Sequence, residues 1–162
     1  MTTKAKLLLY TVTATLGLIA AQPRGAAAQS TQFYPLTPCR VIDTRNISAP
    51  ILSGTVTRSF TVRGCFDHDS NPATPCYTCG IPADAKGISY NLTAIAPSQP
   101  GFMTVFPAGI ARPGVAAVVF PAGAVIGNGG VVGLAAVGPP DLSIYLDSGQ
   151  AHAAVDVTGY FK

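Results

Sequence analysis

The chain is 162 residues long, carries ten lysines and arginines against seven aspartates, and contains neither glutamate nor tryptophan. That length admits one domain with a modest core and not two. The missing glutamates remove the commonest general acid/base residue, and the missing tryptophans remove the commonest sugar-stacking side chain.

The first 28 residues read as a secretory signal peptide. Lys4 and Lys6 precede an apolar run from Leu7 to Ala21, and the small residues Gly25 to Ala28 follow. Ala26 and Ala28 supply the small side chains that a signal peptidase pocket admits, so the cut is expected after Ala28. The run is shorter than the roughly 20 residues that span a bilayer, and Pro23 follows it, so no membrane span is expected after cleavage. Residues 29–36 then form a lead-in and 37–162 a single domain, exported to the cell surface, the medium or the periplasm.

Without the leader the charge changes. Arg40, Arg45, Arg58, Arg63, Lys86, Arg112 and Lys162 face Asp43, Asp67, Asp69, Asp84, Asp141, Asp147 and Asp156, which cancel. No basic cluster of the kind that binds nucleic acid remains.

From Cys39 onward, Gly and Pro recur every 8 to 12 residues between short segments rich in Val, Ile, Thr, Phe and Tyr. This spacing predicts many short strands in a small antiparallel β-sandwich, jelly-roll or immunoglobulin-like, with a barrel as the alternative. Strands are expected near 39–44, 55–63, 87–96, 101–106, 115–120, 129–135, 142–146 and 151–158. In the third, Ile88, Tyr90, Leu92 and Ala94 alternate with Ser89, Asn91 and Thr93, which predicts one packed face and one wetter face. Val155 and Val157 alternate likewise with Asp156 and Thr158. Val105-Phe106-Pro107-Ala108-Gly109 recurs as Val119-Phe120-Pro121-Ala122-Gly123, two similar strand exits rather than a solenoid repeat. The uncharged Val115 to Val137 stretch lacks polar alternation, and two readings stand: central strands buried on both faces, or strands that join another subunit.

Cys39, Cys65, Cys76 and Cys79 are an even number in an exported chain, so two disulfides are expected. Cys76-x-x-Cys79 with Cys39, Cys65, His68 or His152 would also suit zinc, but thiols in an oxidising compartment usually pair with each other. No cofactor is expected.

Pro38-Cys39-Arg40-Val41-Ile42-Asp43-Thr44-Arg45, Cys79-Gly80-Ile81-Pro82, Asn91-Leu92-Thr93, Gly101-Phe102-Met103-Thr104-Val105 with Pro107, and Asp156-Val157-Thr158-Gly159-Tyr160-Phe161 occur in that order. Together they resemble an uncharacterised family of bacterial secreted and cell-surface β domains, over essentially all of residues 33–162. The resemblance implies architecture and no catalytic residue. It also implies that Cys39 pairs with Cys79. The Asp/Asn/Pro-rich insertion from Gly64 to Thr78 would then be closed by a nested Cys65–Cys76 bridge, although Cys76 and Cys79 are also within reach of each other.

The candidate chemistry is sparse. Asp67, Asp69 and Asn71 offer oxygens at alternate positions, as at the opening of a calcium loop. Pro72 then replaces the turn glycine and Thr78 the bidentate glutamate, so a plain solvated loop is the expected state. His68 and His152 are the only imidazoles, and there is no Gly-x-Ser-x-Gly elbow. Asp43 and Asp156 are the most strand-embedded carboxylates. Both read as structural: Asp43 capping its own turn, and Asp156 meeting Arg40 or Arg45 where the first and last strands adjoin. Asn46-Ile47-Ser48 and Asn91-Leu92-Thr93 match the N-glycosylation triplet and are read as unmodified.

These residues lead to a non-catalytic secreted or cell-surface domain with a structural or adhesive role. Its ligand loop would hold Phe66, Asp67, His68, Asp69, Asn71 and Tyr77, facing a cell-surface glycan or protein. A carbohydrate-binding module and a small hydrolase using His152 are the alternatives, and self-association through Val115 to Val137 is open.

Overall fold

The computed structural model describes residues 31–64 and 78–162. Every regular element among them is a strand: β1 (Phe33–Asp43), β2 (Leu52–Ser53), β3 (Thr57–Phe60), β4 (Gly87–Ile95), β5 (Gly101–Pro107), β6 (Val118–Phe120), β7 (Val125–Gly133), β8 (Leu142–Leu146) and β9 (Gln150–Phe161). They form two antiparallel sheets, not a closed barrel. One has the order β1-β9-β4-β7, with β2 also pairing β9, and the other the order β3-β8-β5-β6.

The alternation in β4 decides which way its sheet faces. Ile88, Tyr90, Leu92 and Ala94 are buried, whereas Ser89, Asn91 and Thr93 are partly exposed. On β9, Val155 and Val157 are fully buried and face the same core. The other sheet answers with Met103 and Val105 of β5 and Leu142, Ile144 and Leu146 of β8. Each such side chain contributes roughly 1.5–3 kcal/mol through burial, so this shared core is the main stabilising term.

Several strands differ from their expected extents. β1 begins at Phe33, inside what reads as a lead-in, because Gly159 to Phe161 of β9 give it a pairing partner. Pro35 and Pro38 look like breakers, yet an outer strand tolerates them because half its N–H groups need no partner. The Phe33 ring lies over Gly159, and a Cβ there would collide with it. β3 is shortened to four residues, and Thr55 just before it has positive φ.

The Val115 to Val137 stretch is not central. Among the described residues β6 and β7 are the outermost strands of their sheets, and β7 is exposed along most of its length. The uniform apolar run therefore marks open edges here, not double burial.

Candidate functional site

The polar side chains gather on the face of the five-stranded sheet turned away from the core. Arg40 and Asp156 stand opposite each other in the β1/β9 pairing. Arg40 Nε donates to Asp156 Oδ1 at 2.8 Å and its Nη2 to Oδ2 at 3.0 Å, a bidentate fork. An irregularity between Arg40 and Ile42 returns Asp43 to the same side, while Ile42 enters the core.

Asp43 closes the turn that leaves β1. Its backbone carbonyl accepts the N–H groups of Asn46 at 3.1 Å and Ser48 at 2.9 Å. Its side chain is only 2% exposed and takes four further hydrogen bonds. Oδ1 accepts the Arg45 amide at 3.1 Å and Arg45 Nε at 2.9 Å, and Oδ2 accepts Arg45 Nη2 at 2.7 Å and Arg40 Nη1 at 3.1 Å. The side-chain hydrogen bonds from Arg45 outweigh burial and hold the Asp43 carboxyl down at about 2. The hydrogen bonds to Asp156 hold the Arg40 guanidinium above its ordinary range. Arg40 thus bridges both carboxylates, and Arg45 contacts Asp43 alone.

Beside this cluster, the Thr44 hydroxyl oxygen accepts the Ala153 N–H at 2.9 Å and lies 3.2 Å from His152 Nδ1. Thr44 is buried, so the pair fastens the end of β1 to β9 and presents no accessible nucleophile. On β4, Asn91 Nδ2 donates to Thr93 Oγ1 at 3.2 Å, and Ser89 Oγ lies 3.0 Å from Thr158 Oγ1. At the far end, the half-exposed Phe33 meets Phe161 with ring centroids 5.1 Å apart.

Cys39 and Cys79 are bonded, with Cα atoms 5.7 Å apart. The bridge ties β1 to the segment preceding β4 across a sequence separation of 40. Closing a loop of that size stabilises by about 4 kcal/mol in the chain-entropy view. Cys65, Cys76, Phe66, Asp67, His68, Asp69, Asn71 and Tyr77 lie outside the described residues. Among the described residues, no group of three or more His, Cys, Asp or Glu side chains is placed to hold a metal.

A second ion pair escapes sequence reasoning. Asp141 is buried at the start of β8, and its Oδ2 accepts the Val62 and Arg63 amides at 2.8 and 2.9 Å. Arg63 Nε donates to Asp141 Oδ1 at 2.7 Å, and Arg63 Nη1 and Nη2 donate to the carbonyls of Ala85 and Ala135. A cleft of about 330 Å³ opens above it, lined by Thr61, Ala83, Ala136 and Pro139. Every polar atom of the pair is engaged by the fold, and a Cβ at Gly138 would collide with both side chains. The pair is a buried clasp between loops. Nothing in the sequence links residues 78 positions apart, and only the Pro139-Pro140 run beside Asp141 hints at a tight local turn.

Compared with protein-family models, with curated proteins and with solved structures, the chain matches none.

Proposed function

We propose that this chain is a non-catalytic β-sandwich domain of the exported bacterial kind, serving a structural or adhesive role at the cell surface. The observation that carries the reading is the state of its best-placed carboxylate. A general acid needs a pKa raised toward the working pH, whereas Asp43 is driven the other way and spends its lone pairs on two arginines and a turn. Asp156 and Asp141 are likewise engaged by arginines within the fold. Such a cluster stiffens a scaffold. The Cys39–Cys79 bridge supports the same reading, since disulfides persist in oxidising compartments.

A carbohydrate-binding role is the second reading, and one feature favours it. Phe33 and Phe161 form a partly exposed aromatic pair, and Phe33 also covers Gly159, the register partner of Ser89, whose hydroxyl lies 3.0 Å from Thr158 Oγ1. A ring face beside hydroxyl groups is what a sugar needs for stacking and hydrogen bonding.

The test is a cell-wall and peptidoglycan panel on the exported, oxidised protein, scored for binding and for product release. Retention on cell envelopes without product release is the expected result. Saturable glycan binding lost in Phe33→Ala would select the carbohydrate reading. Product release abolished by His152→Ala would overturn both.

A further inference from the structure

Among the described residues the two sheets have five outer strands, β1, β2, β3, β6 and β7, and all but β7 are blunted, β2 by being two residues long. β1 carries Pro35 and Pro38, two breaks of register and the charged Arg40. β3 is four residues long and carries Arg58. β6 is three residues long and runs into Pro121. Prolines, charges, irregularities and shortness are the usual devices that stop a sheet from growing.

β7 has none of them. It runs for nine residues without proline or charge, in unbroken register with β4 from Gly87↔Gly133 to Ile95↔Val125. No charged residue stands between Arg112 and Asp141. Exposed apolar side chains concentrate here: Val125 is 72% exposed and Val131 65%, with Val115, Val119 and Ile126 also exposed. A groove of about 300 Å³ separates β7 from the facing 116–119 segment. Its far wall is set by Asn128 Nδ2 donating to the Ala117 carbonyl at 2.7 Å.

We propose that β7 pairs antiparallel with β7 of a second copy of this chain, about a two-fold axis at Asn128. One sheet would then run through both copies.

The order of residues singles out a second copy as the occupant. When two identical antiparallel strands meet about an axis normal to the sheet, one residue must stand opposite itself, because side chains alternate between faces. With Asn128 in that place, Gly127 faces Gly129 and Val125 faces Val131. These four residues share one side of the strand, since they pair with Ser89, Asn91, Thr93 and Ile95 on β4. Their order, Val-Gly-Gly-Val, reads identically in both directions. On the other side Ile126 faces Gly130, whose own space is filled by the Tyr90 ring of β4. The edge therefore matches itself in residue order. Carrying no charge, it has no electrostatic feature to select a partner of opposite sign.

The area fixes the strength. Nine residues at about 3.3 Å each make a strip about 30 Å long, and with a width of about 10 Å each copy buries on the order of 300 Å². The sum lies below the roughly 1,200 Å² at which stable interfaces begin. The pairing is thus weak and reversible.

Sedimentation of the exported, oxidised protein from about 1 to 500 µM tests this, together with hydrogen exchange of the β7 amides at both ends of that range. The expected result is a monomer that becomes a dimer, with amides of residues 125–131 exchanging more slowly at high concentration. Val131→Lys should weaken the dimer at least about tenfold, while Val137→Lys, which adds the same charge in a loop, should not. Unchanged melting of both variants separates loss of pairing from loss of folding. A monomer throughout, or a dimer whose β7 amides exchange as fast as in the monomer, would overturn the proposal.

Discussion

The two edges of the five-stranded sheet are built from opposite chemistry. β1 is held by a disulfide, two arginines and a buried aspartate, and its prolines and register breaks leave little to pair with. β7 is held by its ladder to β4 and by Asn128 Nδ2 on the Ala117 carbonyl, and among the described residues no strand pairs its other side. Arg40, Asp43 and Arg45 give the guarded edge the ion pairs of the sheet's outer face, and the open edge carries the sheet's most exposed aliphatic side chains, Val125 and Val131. The difference shows that one sheet can concentrate its defences where the chain is irregular and leave its most regular strand bare.

The largest test of this contrast removes the guard. Replacing Cys39 and Cys79 together by serine should cost about 3–4 kcal/mol and lower the melting temperature by on the order of 10 °C. Hydrogen exchange should quicken in β1 before β4 or β7. Equal quickening at both edges would mean that the bridge stabilises the sheet uniformly.

Next comes Asp43→Ala, which strips a buried carboxylate from under two arginines. It should cost about 3 kcal/mol in chemical denaturation, the low end for a broken buried pair because both guanidiniums reach water. The same carboxyl gives a pH signature. Its folded value, about 2, lies below its ordinary 3.8. The unfolded chain therefore takes up the proton first, and stability is fully present above pH 4 and is lost as pH falls toward 2. The expected loss from this group is about 2 kcal/mol, and Asp43→Asn should remove that component of the acid slope.

Part of this was legible beforehand. The two-residue alternation in β4 and β9 follows from a sheet with one wet face, and it identified Leu92 and Val155 as core and Asn91 and Asp156 as surface. The start of β1 was hidden because Pro35 and Pro38 argue against a strand unless the strand is known to be outermost, which is a property of topology. The Arg63–Asp141 clasp was hidden for the same reason: its partners meet only after β3 and β8 have paired. The 115–137 stretch was ambiguous in principle, since valine and glycine without charge describe both a doubly buried strand and an unguarded one.

Smaller effects sharpen the guarded edge. A double-mutant cycle on Arg40→Ala and Asp156→Ala should give a coupling of about 0.5–1 kcal/mol, the range of a partly exposed pair. Arg45→Ala with Asp156→Ala should be additive, because no bond joins them. The smallest effect belongs to the open edge: Val125→Thr with Val131→Thr should leave monomer stability within about 0.5 kcal/mol of wild type.

The meeting of β1 and β9 has a mechanical consequence. Gln32 and Lys162 exchange both backbone hydrogen bonds, at 2.8 and 3.0 Å, so the two strands begin and end side by side. A load drawn between these two residues would pull across the ladder and open it one rung at a time, like a zip, rather than shear many rungs at once. Peeling of β1 would advance from Phe33 to Cys39, where the covalent link to Cys79 hands the load to the segment preceding β4. β9 contains no cysteine, so beyond that point its ladder to β4 is what has to yield.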